Sequence, residues 1–277
     1  MSTAGHLHLV LLPGMDGTGR LFAPLLAALR DLGASVSPAD QPAASPAPAP
    51  TRAAAAVAPG PSAPGLQGVH ISVMPLRCDQ APSDAHLQVS MHHCLKTGDR
   101  PLILAESFSG PWALRLLRDW PAALGTPPIG LVMACSFVRN PQRWAGPIRA
   151  VARALPPVQP AGPALRVIER ALYGRKPAPA LCAALRDSLA QVQPAVMKAR
   201  LHAVLASDET ASWQALRLPT LVLSARQDEL VPTSETRRML ALRPGCQHVT
   251  LHGPHGLLQA EPQATARAIA AFVAQLV

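Results

Sequence analysis

An α/β fold, with a mainly parallel sheet covered by helices on both faces, follows from three features of the sequence. Short apolar, β-compatible runs recur along the chain, and segments with apolar residues at helical spacing separate them. One long, proline-interrupted stretch breaks that rhythm without supplying a strand. Strands alternating with helices of this length imply right-handed crossovers between parallel neighbours.

The first strand is the run Leu7 to Leu12, closed by Pro13-Gly14. Residues 21–32 then carry Leu21, Leu25, Leu26 and Leu29 at helical spacing and stop at Gly33. Residues 34–67 are mostly Ala, Pro, Ser and Gly, too poor in large side chains to offset their ordering entropy. They read as a flexible or polyproline-like excursion, unless residues 34–37 add a short strand before it begins. Because it joins a helix to the next strand, this excursion is expected at the amino edge of the sheet, away from a ligand site.

Strand character returns over residues 69–76. Residues 84–95 place Leu87, Met91, Cys94 and Leu95 on one helical face, stopped by Gly98. Residues 101–105 form another buried strand, residues 110–120 a helix with Pro111 near its start, and residues 129–137 a third long apolar run. Residues 218–224 and 248–251 read as the last strands, with a helix from Thr233 to Leu242 between them and an amphipathic helix over 264–276. The chain divides accordingly into a first core segment, 1–141, a helical lid over 142–215 and a second core segment, 216–277.

Composition narrows the classes of function. A formal charge of +9 would permit binding to nucleic acid, but the basic residues are spread along the chain. One Tyr and four Phe leave little to stack on bases, so a nucleic-acid partner is not expected. Five scattered cysteines, odd in number and without paired short spacing, read as reduced thiols. His86, His92 and His93 fall near one helix with no ligand set around them, so neither a metal nor another cofactor is expected. The N-terminal apolar run is short and lacks a preceding cationic segment, and no stretch approaches the ~18 apolar residues that span a bilayer. A cytoplasmic protein without stable membrane insertion is the expectation.

Ligands of α/β sheets sit beyond the carboxyl ends of the strands, where a reactive side chain should appear as a strand turns into a helix. Ser107 stands there, in Ala105-Glu-Ser-Phe-Ser-Gly, and the arrangement resembles a nucleophile elbow. Ala105 and Ser109 take the two small positions that let the backbone turn sharply. Ser109 reads as a packing or capping residue, and Glu106 as solvated or engaged in a local ion pair. A serine hydroxyl becomes nucleophilic only when an imidazole can take its proton, and that imidazole needs a carboxylate to orient it. Asp228 and His255 both lie in loops after strands, where they could converge on Ser107. Glu229, Asp208 and His252 are the competitors. Acyl transfer also needs backbone N–H groups at the developing oxyanion; the amides of Phe108 and of Met15, in the turn Leu12-Pro-Gly-Met-Asp-Gly-Thr-Gly, are placed to supply them. Asp16 reads as a turn-former.

That turn, Ala105-Glu-Ser-Phe-Ser-Gly, Gln227-Asp-Glu-Leu-Val-Pro and Gly253-Pro-His-Gly-Leu-Leu-Gln-Ala-Glu-Pro together resemble the ordered motifs of the α/β-hydrolase superfamily. The resemblance spans the chain except the excursion and the lid. Two positions depart from the usual pattern: Pro13-Gly14 stands where His-Gly is common, and Ser109 where Gly is common. The resemblance implies an α/β-hydrolase fold with a helical lid, a triad of Ser107, Asp228 and His255, and an oxyanion hole of Met15 and Phe108. It implies a serine esterase or thioesterase forming an acyl-enzyme on a small-molecule substrate. Lid residues Trp144, Leu165, Ile168, Leu172 and Trp213 suggest that this substrate has an apolar portion, plain core packing being the alternative for them. The turn also resembles that of plant plastid phytyl ester synthases, which keeps an acyltransferase open as an alternative. A binding protein of the same fold is the reading from another class.

Overall fold

A computed structural model describes residues 6–37, 65–141, 156–157 and 159–277. Its centre is a seven-stranded sheet: β1 (Leu7–Leu12), β2 (Ser35–Val36), β3 (His70–Val73), β4 (Arg100–Glu106), β5 (Gly130–Ala134), β6 (Thr220–Gln227) and β7 (Gln247–Pro254), in the spatial order β2-β3-β1-β4-β5-β6-β7. Every pairing is parallel. All six residues of β1 are buried, as a central strand covered on both faces requires. Successive side chains leave a strand on opposite faces, so β1 serves two cores. Leu9 and Leu11 join one cluster with α1 (Ala23–Asp31) and the closing helix, while Val10 and Leu12 join another with α2 (Asp84–Cys94) and α3 (Ser109–Arg118).

Between β5 and β6 stand α4 (Gly162–Tyr173), α5 (Pro179–Ala190), α6 (Pro194–Ala206) and α7 (Thr210–Ala215). The first three begin with Pro in the first turn, where its missing N–H leaves no helical bond unmade. The chain ends with α8 (Thr233–Leu242), then α9 (Leu257–Ala260) and α10 (Pro262–Val273).

Several expectations change against this architecture. The run over 129–137 stops as a strand at Ala134, because Cys135 takes a φ of +45° and turns the chain out of the sheet. The last strand is longer than residues 248–251 and delivers His255 directly from its end. The Ala/Pro-rich segment is narrower than 34–67, since residues 35–36 form β2 and Ala34 and Leu66 are buried. The short strand expected as an alternative over residues 34–37 is thus present, and the segment after it starts from the carboxyl edge of β2 and not from a helix at the amino edge; residues 38–64 lie outside the described residues. Trp213 belongs to the main core, fully buried with its indole N–H donating to the Met239 carbonyl, and not to a lid surface. Trp144 falls outside the described residues.

Candidate active site

The site starts from backbone geometry at the end of β4. Ser107 has a φ of +47°, a region that residues with a Cβ seldom occupy, and three hydrogen bonds hold it there. Its amide donates to the Ala134 carbonyl at 2.9 Å, and its own carbonyl accepts from the Gly110 amide at 3.2 Å and the Ser136 hydroxyl at 2.6 Å. Space for the turn comes from Gly110, where a Cβ would lie 1.9 Å from Ser136 Oγ. Ser109 donates its hydroxyl to the Pro13 carbonyl, fastening the elbow to the loop after β1.

Ser107 Oγ lies 2.8 Å from His255 Nε2, and His255 Nδ1 lies 2.8 and 2.9 Å from the two carboxylate oxygens of Asp228. With the Nδ1 proton directed at Asp228, Nε2 is left to accept from the serine. Asp228 is itself fixed: its Oδ1 accepts from the amides of Leu230 at 2.9 Å and Val231 at 2.7 Å. The His255 and Asp228 side chains are each 5% exposed, so water cannot readily replace these bonds. The competitors are elsewhere engaged. His252 is exposed on β7, 3.4 Å from the Gln227 amide; Glu229 is exposed; Asp208 accepts from the hydroxyl and amide of Thr210.

Hydrogen bonds also shape the loop after β1. The carbonyl of the Gly14–Met15 peptide accepts from the Gly17 amide at 3.1 Å, so the Met15 N–H, trans to it, points the other way. The fully buried Arg200, from α6, grips the next two carbonyls, Met15 and Asp16, with one guanidinium nitrogen at 2.7 Å each, and donates to the Arg77 carbonyl at 2.8 Å. A Cβ at Gly17, whose φ is +70°, would fall 2.4 Å from that guanidinium. Asp16 closes the turn by accepting from the Thr18 amide and hydroxyl, and burial raises its carboxyl above the usual range.

Glu106 is not solvated, and among the described residues it makes no ion pair. It is buried, its Oε2 accepting from the Gly14 amide at 3.2 Å and its Oε1 from the Gln259 side chain at 2.9 Å. Burial, with the neighbouring Asp16 carboxyl, outweighs those two donors and the nearby His255, pushing its pKa up to about 7. The sequence carried a signal for this: alternation puts Glu106 on the same face of β4 as the buried Leu102 and Leu104. Gln259 and Arg200 had no comparable signal, because each reaches the site from a helix packed there only by tertiary folding.

Ser107 and His255 open on a cavity of about 520 Å³ between the sheet and the inserted helices. Gly14, Met15, Asp16, Glu106 and Gln259 form its polar floor, while Leu21, Ile168, Leu172, Leu185, Leu189 and Met197 give it mainly apolar walls. Tyr173 also lines it, its hydroxyl held neutral by burial. Of the lid residues named from sequence, Ile168 and Leu172 reach this cavity; Leu165 packs in the cluster behind them. Phe108, next to the elbow, is buried against Trp112. Among the described residues no group of three or more His, Cys, Asp or Glu could hold a metal ion, and no helix is long and apolar enough to cross a membrane.

Comparison with solved structures sets this arrangement in context. The enol-lactonase from Burkholderia xenovorans LB400 superposes with a TM-score of 0.67 at 15% identity, covering 99% of this chain and 94% of that one. The fold is the α/β-hydrolase fold. An esterase from Exiguobacterium antarcticum, EaEST, gives a TM-score of 0.67 at 11% identity, covering 99% of this chain and 92% of its own. An esterase from Rhodococcus sp. ECU1013, RhEst1, gives 0.62 at 19% identity, covering 98% and 92%. No protein-family model matches the chain, and no curated protein matches it. Ser107 stands between β4 and α3, and Asp228 and His255 follow β6 and β7, the two strands beyond β5.

Proposed function

We propose that the protein is a hydrolase that cleaves carboxylic esters or thioesters through an acyl-enzyme on Ser107. The observation that carries this reading is the unbroken hydrogen-bonded series from Ser107 Oγ through His255 to Asp228, opening on a largely apolar cavity. Ser107 Oγ attacks the substrate carbonyl carbon as His255 Nε2 takes its proton, and the carbonyl π electrons move onto oxygen. The amides of Met15 and Phe108 stabilise that oxyanion more than they do the ground-state carbonyl. Its collapse expels the alcohol or thiol, which receives the proton from His255. Water then repeats the sequence on the acyl-enzyme and releases the acid. Asp228 keeps the imidazole in the working tautomer and stabilises the imidazolium.

The apolar walls favour a substrate with an aliphatic or alicyclic portion, and about 520 Å³ suits a medium-sized small molecule. The inserted helices, supplying most of that wall, act as a cap over the core. A fluorophosphonate probe tests the reading directly. Wild type is expected to be labelled at Ser107, with labelling lost in Ser107→Ala and turnover detectable on a panel of p-nitrophenyl esters. Folded wild-type protein that takes up no probe and turns over no ester would overturn it.

A further inference from the structure

Glu106 is engaged in a way that simple backbone satisfaction does not explain. One carboxylate oxygen receives the Gly14 amide and the other receives the Gln259 side chain, so a single residue ties two other segments of the site to its own strand. It is the last residue of β4, held in the sheet opposite Ala134 and directly preceding Ser107. Gly14 precedes Met15, whose amide the acyl-enzyme reading assigns to the oxyanion hole. Gln259 lies in α9, four residues after His255.

We propose that Glu106 is a positioning residue, setting the oxyanion loop and the base-bearing segment in register with the nucleophile by hydrogen bonds from within the elbow. The kinetic part of this inference rests on the acyl-enzyme reading; the structural part does not. β4 is a central strand, paired with β1 on one side and β5 on the other, so its terminal carboxylate is a rigid reference point. The Gly14 amide and the Gly14–Met15 peptide share one Cα, so a shift at the amide carries the Met15 N–H with it. Glu106 holds this loop on its amide side and Arg200 on its carbonyl side. With both holds in place the Met15 donor has little freedom, which is what electrostatic preorganisation requires. The buried charged or titratable groups around Glu106 are Asp16 from the loop, His255 after β7, Tyr173 from α4 and Cys135 at the end of β5. None of them donates to its carboxylate in place of Gly14 and Gln259.

The test compares wild type with Glu106→Ala and Glu106→Gln in the full chain. Gln keeps one oxygen for the Gly14 amide, and its NH2 can donate to the Gln259 carbonyl once that amide turns over. Hydrogen exchange of peptides spanning residues 12–18 reads the hold on the loop without reference to activity. Glu106→Ala is expected to speed exchange at Gly14 and Met15 by ~10-fold or more, and Glu106→Gln to return it towards wild type. With p-nitrophenyl butyrate, Glu106→Ala should lower kcat by ~10–100-fold while KM moves by less than about threefold, and Gln should restore most of kcat. Unchanged exchange in Glu106→Ala, or Gln as impaired as Ala, overturns the proposal, as does a loss carried by KM alone. Should Glu106→Ala fail to fold, Gln259→Ala removes the bond that fixes the other carboxylate oxygen of Glu106 and, by loosening that carboxylate, is expected to speed exchange in the same peptides; no change there overturns the proposal as well. A wild type that takes up no fluorophosphonate probe and turns over no ester sinks the acyl-enzyme reading, while exchange still decides whether Glu106 holds the loop.

Discussion

At the scale of single residues, the described residues include two serine–histidine–aspartate series with nearly the same distances. Ser72 Oγ lies 2.9 Å from His8 Nε2, and His8 Nδ1 lies 2.7 Å from Asp99, much as Ser107, His255 and Asp228 are joined. His8 is fully buried within β1 and Ser72 is buried within β3, so the first series satisfies polar groups inside the sheet. Ser107 instead stands on a strained turn at the wall of a cavity. Exposure to substrate, and not the residue set, separates the two, and the fluorophosphonate probe should accordingly leave Ser72 unmodified. Glu106 makes a different residue-scale argument. Its pKa of about 7 in the fold stands against an ordinary 4.5, so between those values the folded chain keeps a proton that the unfolded chain has released. Stability through this group therefore falls as pH rises from about 4.5 to about 7 and stays lower above that. Glu106→Gln removes the ionisation. In urea melts, its stability relative to wild type is expected to rise between pH 5 and pH 8, by a margin on the order of 3 kcal/mol. Equal differences at the two pH values would refute this.

At the scale of elements, the strand ends decide the site. β4 and β5 finish in neighbouring residues of the same handedness, Ser107 at φ +47° and Cys135 at φ +45°, and the bond from the Ser107 amide to Ala134 ties the two exits together. The Cys135 thiol is buried close to Asp228 and Glu106, and burial raises its pKa, so it stays neutral beside them. α3 can approach this pair of turns only because Gly110 has no side chain: a Cβ would also meet Met133 Cε at 2.8 Å and Ser136 Cβ at 3.1 Å. Gly110→Ala is expected to destabilise the fold by about 1–3 kcal/mol, measured by urea unfolding. It should also slow probe labelling of Ser107, since the Ser136 bond to the Ser107 carbonyl cannot survive the shift. A neutral effect on both would show that the elbow has more room than its packing implies.

At the scale of the whole molecule, the inserted helices and the sheet meet around one cavity, and the chemistry available to it depends on both halves of the chain. Ile168, on α4, is one of its apolar walls. Ile168→Trp should shorten the acyl portion the cavity accepts, lowering the octanoyl-to-acetyl ratio of kcat/KM by ~10-fold or more; an unchanged ratio would place the acyl chain elsewhere. The sequence by itself determined the α/β class, because continuous apolar runs separated by helical periodicity have few other ways to bury both faces of a sheet. It also singled out Ser107, Asp228 and His255, since each follows a strand and so lies at the carboxyl edge. Strand ends were less legible: β5 stops at a left-handed residue, and nothing local in an apolar run marks where such a residue falls. Glu106, read as solvated or engaged in a local ion pair, showed the limit of reading charge as exposure when its position in the alternation pointed inward. Only the tertiary structure decided what surrounds the site. Arg200 and Gln259 come from helices far along the chain, and their hydrogen bonds, from Arg200 to the loop after β1 and from Gln259 to Glu106, depend on how those helices pack, which no local pattern encodes.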